Sequence, residues 1–405
     1  MNRLSSSWLI IVCAAAVLMV TMGARQSMGL FVQPMQYGTG LTITAISFAL
    51  AVAQLMWGVA QPIAGAVADR YGARPVLLAG IVVLAIGCLM TPWLQSGWGL
   101  VFTLGILSAV GSGAGSFSVL MGVAANKLPP QSRGMASGVI NAGGSFGQFV
   151  FAPVLQRLIT AFGWMGAMYS LALMCLAALP FALRLTRRET AAAPSTASAS
   201  PVAEQSLKQA VKQAFADRSY WLLHLGFFTC GFHIAFLVTH LPGEVALCGL
   251  PQSVAAWSLA IIGIANVAGS LFIGAMVSRY RSKYLLFWMY GSRALLIAVY
   301  LMLPRTDLTF YLFAAGLGFT WLATVPPTAA IVGKLFGVRY LATLFGFTLL
   351  SHQIGGFLGA YLGGVTISRF GDFGWMWYAD MALAVLAALI NLPIREPRIE
   401  TRQAA

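Results

Sequence analysis

Apolar runs of about twenty residues recur along the whole of this 405-residue chain, and almost none of them contains a charge. Each is long enough to cross a ~30 Å hydrocarbon core as a helix. A backbone surrounded by lipid must satisfy its own polar groups, and an unbroken apolar run does this as a helix. The feature therefore predicts an all-α membrane protein. The charged fraction of 8% fits that medium, since soluble domains carry about 25%.

The runs predict twelve transmembrane helices. The first six lie near residues 8–33, 43–68, 75–95, 98–124, 134–157 and 163–184, the second six near 220–242, 253–277, 284–303, 308–332, 340–367 and 373–394. The opening run follows Arg3 as a signal peptide would. It is too long for one and lacks a cleavage site, so it reads as a spanning helix. One long polar connection contains the low-complexity stretch TAAAPSTASASPVAEQS and reads as a mobile linker. The expected organisation is an N-terminal six-helix bundle (1–184), a cytoplasmic linker (185–218) and a C-terminal six-helix bundle with a short cytoplasmic tail (219–405).

Charge placement supports the count. With the N-terminus cytoplasmic, nineteen of the 24 Lys and Arg fall on the cytoplasmic side. Arg157, Arg305 and Arg369 fall outside, and Arg25 and Arg293 lie within spans. This is a strong positive-inside bias. It predicts an inner-membrane protein with both termini cytoplasmic, and it accounts for the net charge of +14 without nucleic acid. The five cysteines and four histidines show no metal-ligand or disulfide spacing. No nucleophile–base pair or phosphate loop appears, so the chain does not read as an enzyme, and no cofactor is expected.

The turn after the second span reads GAVADRYGARPV. It resembles the GxxxDRxGRR signature of the major facilitator superfamily at Gly65, Asp69, Arg70, Gly72 and Arg74, with Ala73 in place of one arginine. Gly65 suits a close helix contact, Gly72 a tight turn, and Asp69 an acceptor role. In that family the loop holds the inward gate. The second half repeats the pattern weakly as GAMVSRYRSKYLL, with Ser278 where the acid would stand. The resemblance covers the whole chain and implies two pseudo-symmetric six-helix bundles with a site between them. A nearer likeness is to the oxalate–formate antiporter and monocarboxylate transporter branch. It rests on RGMASGVINAGGSFGQ, QPIAGAVADRYGAR and FGFTLLSHQIGGFLGAYLGG. That branch implies a carboxylate held by a cation on the eighth span, where this chain has Ser270, and by another on the eleventh, where it has His352.

Polar residues inside spans give the candidate site. Arg25 interrupts the first span, at a cost of roughly 2.5–3.5 kcal/mol. The membrane part of the first half contains no acid to pair with it, and an incoming anion would relieve that cost. His352 and Gln353 lie near the middle of the eleventh span, and His233 near the middle of the seventh. Asn141, Ser145 and Gln148 share one face of the fifth span, and Asn266 is mid-span on the eighth. These residues are the expected substrate contacts, with interhelical hydrogen bonding as their alternative role. Arg293 and Asp380, on the ninth and twelfth spans, read as a structural ion pair. Glycine-rich faces on the fourth and eleventh spans suit close, sliding helix packing. Val325–Pro326–Pro327 should bend the tenth span, with Trp321 nearby as a cavity wall.

The reading is a secondary transporter for a small organic anion, a carboxylate, working by proton symport or anion exchange. His352 is the first titratable candidate for coupling. A hydrophobic-compound exporter on the same fold is the alternative. The expected partners are the anion, membrane lipid and protons, and a monomer is expected.

Overall fold

The computed structural model describes residues 2–128, 130–186, 207–277, 279–337 and 340–397. Ten helices among them are long and apolar enough to cross a membrane, and no strand occurs among the described residues.

In chain order, α1 is Asn2–Gln26. A break at Ser27 leads into a tight turn, Met28–Phe31, and a short helix, Val32–Thr39. α2 is Ile43–Tyr71, whose first turn is capped by Thr42 accepting from Ala45 N. Gly72 (φ 86°) turns the chain into α3, Ala73–Met90. α4 spans Gly97–Ala124 and contains a π-helical stretch over 101–108. α5 is Pro130–Leu176, divided at Gly163, where φ of 69° breaks the helix into two arms. α6 is Leu179–Thr186 and α7 is Leu207–Ala216. The connection expected as a linker over 185–218 is thus helical over 207–216, and its low-complexity stretch lies outside the described residues.

The second half follows as α8, Arg218–Leu247, α9, Gln252–Val277, and α10, Ser282–Met302. α11, Asp307–Thr320, and α12, Val325–Phe336, are two arms of one interrupted span. The interruption begins at Trp321 (ψ −84°), ahead of the proline pair. Pro326 and Pro327 therefore start the second arm, where a missing N–H costs nothing, and do not bend a continuous helix. α13 is Leu341–Phe370, closed by Gly371 in the left-handed region, and α14 is Gly374–Asn391.

The packing repeats between halves. α1 lies against α5 as α8 lies against α13, and α2 meets α13 across the halves as α9 meets α5. Glycine makes the tight contacts possible. A Cβ at Gly143 would meet Ala15 backbone, and one at Gly355 or Gly359 would meet the Phe228 or Phe232 carbonyl. The glycine-rich α13 also turns Gly356 towards Gln54 and Gly364 towards Ser47 on α2. One helix thus serves a contact within its half and another between halves.

Candidate functional site

The helices enclose one large cavity of about 3130 Å³. Its walls run from mid-span to the end of the bundle that carries Arg70, Lys127 and Arg184, termed here the basic face. At the opposite end the halves meet. Thr44 Oγ1 donates to the Gly364 carbonyl (3.1 Å) and lies 2.8 Å from Ser368 Oγ, and Gln252 Nε2 donates to Gln33 Oε1 (3.0 Å). Phe48 packs edge-on against Phe357 and Tyr361. The cavity is open at one face and shut at the other.

Arg25 lies at the deep end because the last turn of α1 reaches mid-span there. Its guanidinium donates to Gln54 Oε1 and covers the Trp57 ring, 4.1 Å from the centroid. No carboxylate lies within ion-pair distance of it among the described residues. It is a cation facing the cavity, held in place by an amide and an indole. Neither Gln54 nor Trp57 was expected as a site residue.

His352 and Gln353 line the same cavity from α13. Gln353 Nε2 and His352 Nδ1 lie 3.1 Å apart. His352 Nε2 and Gln353 Oε1 have no hydrogen-bond partner, and the imidazole packs beside Phe227 at 4.9 Å. Gln353 crosses α2 at Gly58, where a side chain would collide with it. Residues 54, 57 and 58 of α2 therefore connect the Arg25 wall with the His352 wall. Asn141 lines the cavity with Ser145, as does Trp321, itself fully buried.

Three expected contacts fall elsewhere. Asn266 donates to Ser145 Oγ (2.7 Å) and accepts from Leu322 N (2.9 Å) and Ser270 Oγ (3.3 Å). It satisfies the backbone of the α11–α12 break, so its polar groups are spent on structure. Gln148 is buried where α5 passes Gly263 of α9, away from the cavity walls. His233 is turned away from the cavity, with Nδ1 hydrogen-bonded to Asp380 Oδ2.

That bond corrects the expected Arg293–Asp380 pair. Arg293 is fully buried and donates to the Thr320 and Trp321 carbonyls, the latter at 2.6 Å. It also reaches Cys230 Sγ at 3.4 Å and Thr320 Oγ1 at 3.3 Å. Breaking a helix frees carbonyls, and these freed acceptors hold the guanidinium in place of a carboxylate.

In the gating motif, Gly72 supplies the expected turn, and Arg70 and Arg74 are exposed at the basic face. Gly65 lines the cavity with open space where a Cβ would stand, so it mediates no close helix contact. The Asp69 side chain lies outside what the structure describes.

A helical bundle with a mid-membrane polar site, open at one face and sealed at the other by contacts between its halves, has the architecture of a membrane transporter. A model of the Major Facilitator Superfamily matches residues 12–359 and again 248–405, and the chain belongs to that family. It is similar to the oxalate:formate antiporter of Oxalobacter formigenes, with 24% identity over 91% of this chain and 87% of that one. It is also similar to monocarboxylate transporter 13 of Rattus norvegicus, with 25% identity over 95% of this chain and 89% of the relative. Among solved structures, a D-xylose–proton symporter superposes with a TM-score of 0.72 at 17% identity, covering 96% of this chain and 97% of that one. An inward-facing, unoccupied bacterial homologue of the lysosomal transporter Spinster superposes with a TM-score of 0.70 at 16% identity, covering 96% and 94%. These two likenesses concern the fold.

Proposed function

We propose that the chain is a secondary transporter that carries a small organic anion, a carboxylate, across the cytoplasmic membrane. The observation that carries this reading is Arg25, a guanidinium at the deep end of the cavity with no carboxylate partner. A buried cation lacking a counter-ion favours an anion that reaches it, and the guanidinium fork suits a carboxylate. The relatives named for oxalate, formate and monocarboxylates support the same substrate class.

In this reading the basic face is cytoplasmic, as the charge bias implies, and the structure is the inward-open state. Two bundles, residues 1–184 and 219–405, rock about the site in twelve crossings, counting both arms of α5 and adding α13. The anion enters past Arg70 and Arg184, whose positive field attracts it. It docks on Arg25, with His352, Gln353 and Asn141 taking its remaining polar groups. Bridging the two walls favours closure of the basic face, since a ligand shifts conformation by its differential contacts in the two states. The contacts of Thr44 and Phe48 with α13 must then part.

The test is uptake and counterflow in proteoliposomes with radiolabelled formate, lactate, benzoate, oxalate and succinate, with and without a pH gradient. The expected result is saturable transport of at least one acid that Arg25→Ala abolishes. Transport of neutral hydrophobic compounds unaffected by Arg25→Ala would favour the exporter reading.

A further inference from the structure

Behind the cavity wall lies an acid–imidazole pair that the anion site does not use. His233 on α8 and Asp380 on α14 share one hydrogen bond, Nδ1 to Oδ2, and their side chains are 1% and 0% exposed. Each keeps one polar atom without a partner, His233 Nε2 and Asp380 Oδ1. Burying two such groups with spare hydrogen-bonding capacity is costly, and packing alone gives no reason for it. An imidazole and a carboxylate are also among the few side chains that exchange a proton near neutral pH when placed together.

The surroundings define what that proton would do. On α8, Cys230 lies one turn before His233 and carries Arg293 of α10 on its sulfur. Tyr290 of α10 packs beside the same guanidinium, 5.3 Å from its centre. From α13, the His352 backbone passes against Gly231, the residue after Cys230. From the α11–α12 break come Thr320, Trp321 and Thr324, all uncharged. α9 contributes no titratable side chain. His240, two turns along α8, is hydrogen-bonded through Nε2 to the Ala360 carbonyl, and Glu244, with Tyr300 and Arg305, lies three turns along. The local charge is therefore set by Arg293 and the pair. With neutral imidazole and ionised carboxylate the pair carries −1 and balances Arg293. One added proton, giving imidazolium and carboxylate, makes the pair neutral and leaves Arg293 as a net buried cation.

The route to the cavity is short. The His233 ring lies 6.0 Å from the Trp321 ring. Trp321 lines the cavity, and its carbonyl is held by Arg293 at the point where α11 ends. A change of charge at the pair thus acts on the residue that anchors the interrupted span against the cavity.

We propose that His233 and Asp380 form a proton-binding site, separate from the Arg25 anion site, that couples a proton to the transport cycle through Trp321 and the α11–α12 break. The coupling part rests on the transport reading above; proton binding itself does not.

Protonated imidazole quenches a neighbouring indole, so the test needs no substrate. The chain has 11 tryptophans, and the Trp321 contribution is isolated by subtracting the emission of Trp321→Phe. In the purified full-length chain this contribution should fall on acidification. His233→Gln should abolish the titration, and Asp380→Asn should abolish or displace it, with Asp380→Glu restoring it. Proton uptake over the same titration, followed with a pH dye, should drop by about one per chain in His233→Gln. In proteoliposomes loaded with the acids above, both variants should lose accumulation driven by a pH gradient while retaining counterflow. Arg25→Ala should lose transport and keep the fluorescence titration, which separates failure of the anion site from failure of the proton site. A Trp321 signal independent of pH, or one unchanged in His233→Gln, overturns the proposal. Loss of the titration in Arg25→Ala overturns the independence of the two sites.

Discussion

Arg25 sits over the ring of Trp57, with the guanidinium carbon 4.1 Å from the centre of the indole. The contact leaves the charge in place and holds it at the deep end of the cavity while Gln54 takes one N–H. Arg25→Ala should abolish anion transport with normal membrane insertion. Arg25→Lys should retain part of it, because charge persists while the planar fork is lost. Trp57→Leu should weaken binding by about 2- to 30-fold, the range of a cation–π contact worth ~0.5–2 kcal/mol. Substrate titrations on purified protein give the three affinities, and wild-type affinity in Arg25→Ala would remove Arg25 from the site.

The sealed face depends on a missing side chain. A Cβ at Gly364 would run into Ser47 and approach Thr44 Cα at 3.3 Å. Gly364→Leu should therefore force α2 and α13 apart at that end and depopulate the state seen here. A cysteine placed at Leu349, which lines the cavity from α13, should then label more slowly with a membrane-impermeant maleimide applied from the basic face. Labelling at the native rate would mean that this helix contact does not hold the sealed face shut.

The corrected partners of Asp380 make a test by double mutants. Arg293→Ala should lower thermal stability and should couple to Asp380→Ala only weakly, since the two side chains balance charge but bond to different groups. Asp380→Ala and His233→Ala should couple, with the double variant losing less than the sum, because no lone polar partner stays buried. Arg293→Ala leaves the Thr320 and Trp321 carbonyls without this donor, at a cost of about 1–3 kcal/mol each. Coupling of Arg293 with Asp380 in place of His233 would contradict the arrangement.

The chain exposes its fold through features that survive without tertiary context. Apolar run length, basic loops and the turn at Gly72 all act locally, so they can be read before any helix is packed. The site is legible only in part. Arg25 and His352 are conspicuous because charge and imidazole are rare in spans. Gln54 and Trp57 are not, since an amide or an indole in an apolar run carries no sign of which way it faces. Arg293, Asp380 and His233 lie at similar depths, and depth alone cannot say which two meet. Helix rotation decides that, and the carbonyls freed at Trp321 supply Arg293 with a partner that no residue type announces. The proline pair marks the break, but one turn late.

The last prediction concerns the basic face of the second half, where Glu396 ties three elements together. Its carboxylate accepts from Lys334 Nζ at 2.5 Å and from the backbone N–H groups of Ser282 and Lys283, each at 3.0 Å. Arg281 donates to its carbonyl at 2.7 Å. Burial raises the carboxyl, and the Lys334 bond and the two backbone donors outweigh it, leaving Glu396 below its ordinary value. A group lowered on folding stabilises the protein above its unfolded value, about 4.3 for Glu. That contribution fades as pH falls through the lower folded value. At pH 7, Glu396→Gln should melt roughly 2–4 °C below the native chain, the scale of losing one or two charge-assisted bonds. The gap should narrow progressively on acidification below about pH 4.3, because protonation then removes from the native chain what the substitution had already removed. Thermal unfolding of both proteins in detergent across this range measures it, and a gap that stays constant with pH would show that the Glu396 charge does not hold these elements together.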